Sequence, residues 1–197
     1  GDDEIIPTEQ AVAWFGLEAV GRSAARFDMD RLESLNAHYI REASDARLLA
    51  LIEPLLADRA QRPLSDAERN RVAAGLPGLK PRAKTLIELA DNALFYVVAP
   101  ALPLANAKAA KLLEGDAPAI LASLAADLAA VAPWDAPTLE ERLRTAAEHR
   151  GLGLGKLAQP LRAALTGSNA SPGVFELMAV LGREEVLARI VAVAGGR

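Results

Sequence analysis

The sequence predicts an all-α protein, and three observations carry that reading. Alanine makes up about a fifth of the residues and leucine is abundant, both strong helix formers. Cap and stop residues recur in helical order along the chain, and no segment alternates with a convincing period of two.

The elements follow in order. Asp28 precedes Leu32, Leu35, Tyr39 and Ile40, spaced as one apolar face of a helix. Ser44 opens the next series, through Leu48, Leu51, Ile52 and Leu55. Ser65 with Glu68, and Thr138 with Glu141, have capping-box spacing. Pro81 sits where a first helical turn tolerates it, ahead of Leu86, Leu89, Ala90 and Leu94. Gly75, Gly115, Gly151, Gly167 and Gly182 each follow a helical pattern and read as stops. The total is roughly nine or ten helices. Arg59 to Ser65 is a polar connector, Ala99 to Leu104 a bend, and the stretch Pro133-Trp134-Asp135-Ala136-Pro137 the best linker. These signals divide the chain near Ser44 and near Pro133, into 1–44, 45–132 and 133–197.

Composition removes whole classes of chemistry. The 197 residues are 51% hydrophobic and 24% charged, with net charge −4; such a mix suits a folded domain and excludes long disorder. Without cysteine there is no disulfide, thiolate nucleophile or Cys-ligated metal, and two histidines cannot build a His-rich metal site. No apolar run reaches the ~18 residues of a membrane span; Ala117 to Pro133 is mostly alanine and is broken by Asp127. The start Gly1-Asp2-Asp3-Glu4 has no basic n-region, so a cytoplasmic location and a piece of a longer protein are expected.

Catalytic motifs are missing: no phosphate-binding Gly-Lys-Ser/Thr loop, no nucleophile elbow, no His-Glu-x-x-His. Gly151-Leu152-Gly153-Leu154-Gly155 follows a helix and not a strand, which argues for an inter-helix hinge or for amides facing an RNA backbone. Glu140/Glu141 and Glu184/Glu185 lie on Arg-rich helices and read as solvated or i,i+4-paired faces. His38 and His149 read as structural or surface residues.

Charge distribution says more than net charge. From Asn70 through Ile87 there is no acid, while Arg71, Lys80, Arg82 and Lys84 are present. From Gly151 through Phe175 acids are again absent, with Lys156 and Arg162 in place. Arg22, Arg26 and Arg31 form a third basic group. An acidic chain with such windows can hold a polyanion locally. The small polar turn from Thr166 to Gly173 joins two helices; its amides suit an anion and Phe175 offers a flat face for an unstacked base. The competing reading is that Phe175 is core and Ser171-Pro172-Gly173 caps a helix.

Several segments together resemble the C-terminal half of bacterial glutamyl-tRNA synthetase, a class I aminoacyl-tRNA synthetase. The most specific is Gly155-Lys156-Leu157-Ala158-Gln159-Pro160-Leu161-Arg162-Ala163-Ala164-Leu165-Thr166-Gly167, continuing into Ser171-Pro172-Gly173-Val174-Phe175-Glu176 and Leu181-Gly182-Arg183-Glu184. Ala24-Ala25-Arg26-Phe27-Asp28, Leu32-Glu33-Ser34-Leu35-Asn36, Tyr39-Ile40-Arg41 and Arg82-Ala83-Lys84-Thr85-Leu86 match in family order, while Ala99 to Val131 carries little of the likeness.

The resemblance implies the end of a helical stem-contact domain (1–44) followed by two helical anticodon-binding domains (45–132 and 133–197). The family's His-Ile-Gly-His-like and Lys-Met-Ser-Lys-Ser-like signatures lie upstream of the matching region and do not occur here. The implied parent reaction joins glutamate to tRNA-Glu through a glutamyl-adenylate. Its ATP and Mg belong to the catalytic domain, and this chain, inactive alone, needs no cofactor. The implied partners are tRNA-Glu and the N-terminal catalytic domain of the same protein, in a monomer with no membrane contact. Residue by residue, Arg82 matches the arginine that reads the last anticodon base in members favouring tRNA-Glu over tRNA-Gln. Arg162 matches an arginine near the middle base. Ser171, Pro172, Gly173, Val174 and Phe175 match the segment around the first two bases, and Val174 stands where relatives carry a larger apolar residue. Arg22, Arg26, Lys80, Lys84 and Lys156 are expected phosphate contacts on charge alone. The alternative from another class is a helical protein-interaction module whose basic windows meet an acidic partner.

Overall fold

The computed structural model describes residues 5–21 and 28–195. Among them no strand occurs, and eleven α-helices follow one another: α1 (Thr8–Trp14), α2 (Met29–Glu42), α3 (Asp45–Ala60), α4 (Asp66–Leu79), α5 (Leu86–Ala93), α6 (Ala107–Lys111), α7 (Ala117–Ala129), α8 (Ala136–His149), α9 (Leu154–Thr166), α10 (Val174–Leu181) and α11 (Arg183–Gly195). Short 3-10 turns cover Leu17–Ala19, Lys80–Arg82 and Leu94–Tyr96. The helix count exceeds the expectation because α1 and the five-residue α6 are too short for periodicity to register.

The caps set the frame. Asp28 and Ser44 accept the backbone N–H of Arg31 and Arg47 to start α2 and α3. At α4 the capping box closes both ways: Ser65 Oγ accepts the Glu68 N–H, and Glu68 Oε2 accepts from the Ser65 N–H at 2.8 Å. Arg62 donates to both oxygens of the same carboxylate, at 2.6 and 2.9 Å, and holds Glu68 down to about 2. Gly151, Gly167 and Gly182 sit at positive φ just past α8, α9 and α10, where a side chain would be strained.

Four expectations are corrected. Gly75 does not end a helix; it lies inside α4, where the bare backbone accommodates the Tyr96 ring. The cap of α8 is Asp135, whose carboxylate accepts the Thr138 N–H at 2.9 Å, so Thr138 is already helical. Pro81 belongs to the Lys80–Arg82 turn, and α5 starts later, capped by Thr85. The expected apolar face of α2 is only partly used: Ala37 and Ile40 are buried, whereas Leu32 and Tyr39 are 43% and 46% exposed.

One buried apolar cluster runs from Ile40 to Ile190 and includes residues on both sides of position 133. Its densest joins are α11 on α7 and α3 on α5. Leu157, Leu161 and Leu165 of α9 are fully buried, each worth about 1.5–3 kcal/mol. The Pro133–Pro137 stretch is anchored: Trp134 Nε1 donates to the Met178 carbonyl at 2.9 Å, and Arg183 stacks over its ring and donates to the Val131 carbonyl. Two features position the region of interest. Gly78 of α4 faces Pro172 so closely that a Cβ there would stand 3.1 Å from the proline Cβ, which brings α4 onto the α9–α10 turn. The segment after α4 is tied to α2 and α3, because Lys80 Nζ donates to the Ala43 carbonyl (2.6 Å) and to Asp45 (3.0 Å), and Asn36 Nδ2 donates to the Lys84 carbonyl (2.6 Å).

Candidate nucleic-acid interface

Two basic segments far apart in sequence meet at one cleft of about 250 Å³, lined by Leu79, Arg82, Asp91, Asn92, Phe95, Thr166, Ser168, Ala170, Ser171 and Pro172. Arg82 comes from the 3-10 turn that continues α4, and Ser171 and Pro172 from the α9–α10 turn. The α4–α10 contact across Gly78 is what joins them.

Arg82 is exposed and makes no hydrogen bond or ion pair among the described residues. Its planar donors therefore face the cleft without an internal acceptor. Asp91, the carboxylate on the same wall, is held by Arg59 Nε at 2.6 Å. Asn92 adds an exposed amide that can both donate and accept, and Phe95, 8% exposed, is the aromatic residue of the lining.

Arg162 stands behind the turn and not on the cleft's lining. Its Nη1 donates to the Ser171 carbonyl (2.9 Å), to Ser171 Oγ (2.9 Å) and to the Pro172 carbonyl (3.1 Å). Three oxygens of one turn thus converge on a single cationic nitrogen. The Arg162 Nε is buried without a hydrogen-bond partner among the described residues. Burial lowers the Arg162 pKa, and the like charge of Arg82 lowers it further. Two guanidinium groups close enough to repel, with little anionic compensation, leave the site electropositive and receptive to an anion.

The remaining expected residues fall as follows. Gly173 caps α10 and is exposed; Val174 is 3% exposed and packs in the core, and Phe175 is half-buried against it. Neither Val174 nor Phe175 lines the cleft. Lys80 is spent on Ala43 and Asp45, and Lys84 Nζ meets Glu33 at 3.2 Å while staying 59% exposed. Lys156 is exposed on the first turn of α9, in a separate cleft beside α6 and α7. Gly151 to Gly153 join α8 to α9, as an inter-helix connector would, while Leu154 and Gly155 already belong to α9. Arg22 and Arg26, and the Ala24–Phe27 match, lie outside the described residues. Glu140 and Glu185 pair with Arg144 and Arg189 one turn on, each at 2.7 Å, as solvated or paired faces require. Sequence reading did not foresee Asn92, Phe95, Thr166 or Ser168. Thr166 and Ser168 were within reach, being in the polar turn; Phe95 carries no local signal.

Known proteins resemble this chain over most of its length. A family model described as an anticodon-binding domain matches residues 47–194. Glutamate–tRNA ligase 2 of Rhodospirillum centenum is 51% identical over 190 residues, 96% of this chain and 40% of that protein. The same-named protein of Paramagnetospirillum magneticum is 50% identical over 196 residues, 100% of this chain and 41% of its own length. The chain thus spans about 40% of the curated relatives it matches. A crystal structure of a glutamate tRNA ligase from Elizabethkingia meningosepticum superposes with a TM-score of 0.80 at 24% identity, over 98% of this chain and 37% of that one, which establishes the shared helical fold. With the family model covering most of its length, the chain belongs to the anticodon-binding domain family.

Proposed function

We propose that this chain selects tRNA-Glu by holding its anticodon arm, on behalf of a glutamate–tRNA ligase of which it forms the anticodon-binding part. The observation that carries the reading is the cleft in which an unpartnered Arg82 faces the Ser171–Pro172 turn. A guanidinium with free, coplanar donors suits the acceptor-rich edge of a base. Single-stranded bases splayed from a loop are the form in which such edges are accessible. Phe95 provides the apolar surface for the ring, and Ser168 and Asn92 provide further polar groups at the rim.

Adenylation and transfer of glutamate would belong to the remainder of the protein. The described residues hold no group of three or more His, Asp or Glu fit for a metal such as Mg2+, and no step proposed here runs through ATP or a metal. Val12, Trp14, Phe15 and Leu17, all 59% or more exposed, are the apolar surface that this remainder would cover. No helix among the described residues is long and apolar enough to cross a membrane.

The test is a filter-binding comparison of tRNA-Glu with an unrelated tRNA. Binding is expected to favour tRNA-Glu and to weaken steeply as salt rises, because phosphate contacts release counterions. Equal, negligible binding of both would instead support the protein-interaction reading.

A further inference from the structure

Arg82 is the wall of two clefts, not one. The second cleft, of about 410 Å³, is lined by Arg82 together with Asp30, Ser34, Arg41 and Lys84. It is formed where α2 crosses the segment that follows α4. Lys84 on this lining is paired with Glu33 at 3.2 Å, which leaves Arg41 and Arg82 as the two cations facing one carboxylate, Asp30. Arg41, like Arg82, is exposed and makes no hydrogen bond or ion pair among the described residues. The spacing of these cations is held by side-chain ties to the backbone and not by one another: Asn36 of α2 donates to the Lys84 carbonyl, and Lys80 to the Ala43 carbonyl just past Arg41.

From this placement we infer that the second cleft, with Arg41 as its principal donor, receives a backbone phosphodiester of the RNA strand whose base occupies the first. The inference rests on the anticodon reading above and adds a subsite to it. A nucleotide presents a flat, acceptor-bearing base and an anionic backbone in opposite directions. A strand that places its base on the Ser171–Pro172 side of Arg82 carries its backbone across Arg82 toward the α2 side. The chemistry of the two clefts divides the same way. The first contains Phe95, Asn92 and the turn; the second, among the described residues, has no aromatic residue and a net cationic lining, with the Ser34 hydroxyl as a neutral donor. Donors to phosphate fix the register of the strand but carry no base information. Arg41 is therefore an affinity residue and Arg82 a specificity residue, although both line the second cleft.

That division is measurable with the 197-residue chain. Binding of a tRNA-Glu transcript, and of one with its last anticodon base replaced, would be compared across salt for the parent, Arg41→Gln, Arg82→Gln and Arg142→Gln. Arg142 is an exposed arginine of α8 in a different cleft and controls for charge alone. Arg41→Gln is expected to weaken both transcripts by the same factor, roughly three- to tenfold, and to reduce the log–log salt slope by about one. Its thermal midpoint should match the parent's, since Arg41 has no partner to lose. Arg142→Gln should leave affinity and slope unchanged. If the parent binds tRNA-Glu selectively but Arg41→Gln keeps its affinity and slope, the phosphate subsite is wrong while the anticodon reading stands. A change in the ratio between the two transcripts in Arg41→Gln would also overturn it, by making Arg41 a base contact. A parent that shows no salt-dependent tRNA binding overturns both.

Discussion

Gly75→Ala is expected to lose roughly 3 kcal/mol of folding stability, a large share of what a domain of this size has. The added Cβ would stand 2.2 Å from Tyr96 Cε2, 2.5 Å from Cζ and 2.8 Å from the phenolic oxygen. These are atoms of a rigid ring, not the tip of a flexible side chain. Tyr96 is 2% exposed and packs on Phe95 with centroids 4.2 Å apart, so it has nowhere to retreat without moving a residue of the base cleft. The burial that pushes the Tyr96 phenol up to about 12 is the same confinement. The better helix propensity of alanine, about 1 kcal/mol, opposes the clash but does not outweigh it. Urea unfolding followed by circular dichroism reads the loss. Pairing Gly75→Ala with Tyr96→Leu should recover part of it, because the smaller side chain vacates the space. A single variant as stable as the parent would show that the ring is free to move.

Arg162→Met should cost both stability and tRNA affinity, in a pattern that Arg162→Lys only partly restores. Removing the guanidinium leaves the Ser171 and Pro172 carbonyls and the Ser171 hydroxyl without their shared cationic donor. Hydrogen bonds to a charged group are worth about 1.5–3 kcal/mol, which sets the expected shift in the unfolding free energy. Because Ser171 and Pro172 also form a wall of the cleft, the loosened turn should lower tRNA-Glu affinity by roughly tenfold on top of the unfolding. Lysine keeps the charge and offers three donors on one nitrogen, but its shorter, flexible stem does not fix that nitrogen where the packed guanidinium holds Nη1. Filter binding at a temperature where all variants remain folded separates the two effects. If Arg162→Met binds like the parent there, the turn does not need its anchor.

Why Gly75 misled while Gly167 did not is a matter of what each glycine does. Gly167 is at φ +70°, a conformation that costs any L side chain, and that demand marks helix ends. Gly75 is glycine for a contact with Tyr96, and packing partners distant in sequence leave no local trace. The capping box at Ser65 was legible because all its atoms lie within four residues. Thr138 and Asp135 were harder, since both are good caps in a stretch with two prolines; Pro137 decides it by fitting a first turn where no N–H is needed.

The site divides in the same way. The charge windows contain Arg82 and Arg162 and the polar turn contains Ser171 and Pro172, but it is the resemblance to glutamyl-tRNA synthetases that singles these four out from their neighbours. Which guanidinium faces out and which is spent on backbone oxygens depends on α9 packing behind the turn, so the distinct roles of Arg82 and Arg162 required the structure. The aromatic surface was expected at Phe175, next to the turn, whereas the cleft uses Phe95, delivered by the 3-10 turn after α5. Lys80 looked like a phosphate contact on charge, yet the Ala43 carbonyl and Asp45 occupy it. A lone lysine in a basic window does not reveal whether its partner is internal.

The most direct measurement is a double-mutant cycle between Arg82→Gln and substitution of the last anticodon base, read as the binding affinity of the chain for the two tRNA-Glu transcripts. The parent should lose about 1–3 kcal/mol on the base change, and Arg82→Gln should lose almost none, giving a coupling of that size. A coupling indistinguishable from zero, with both proteins discriminating equally, would contradict the assignment of the Arg82 cleft to an anticodon base.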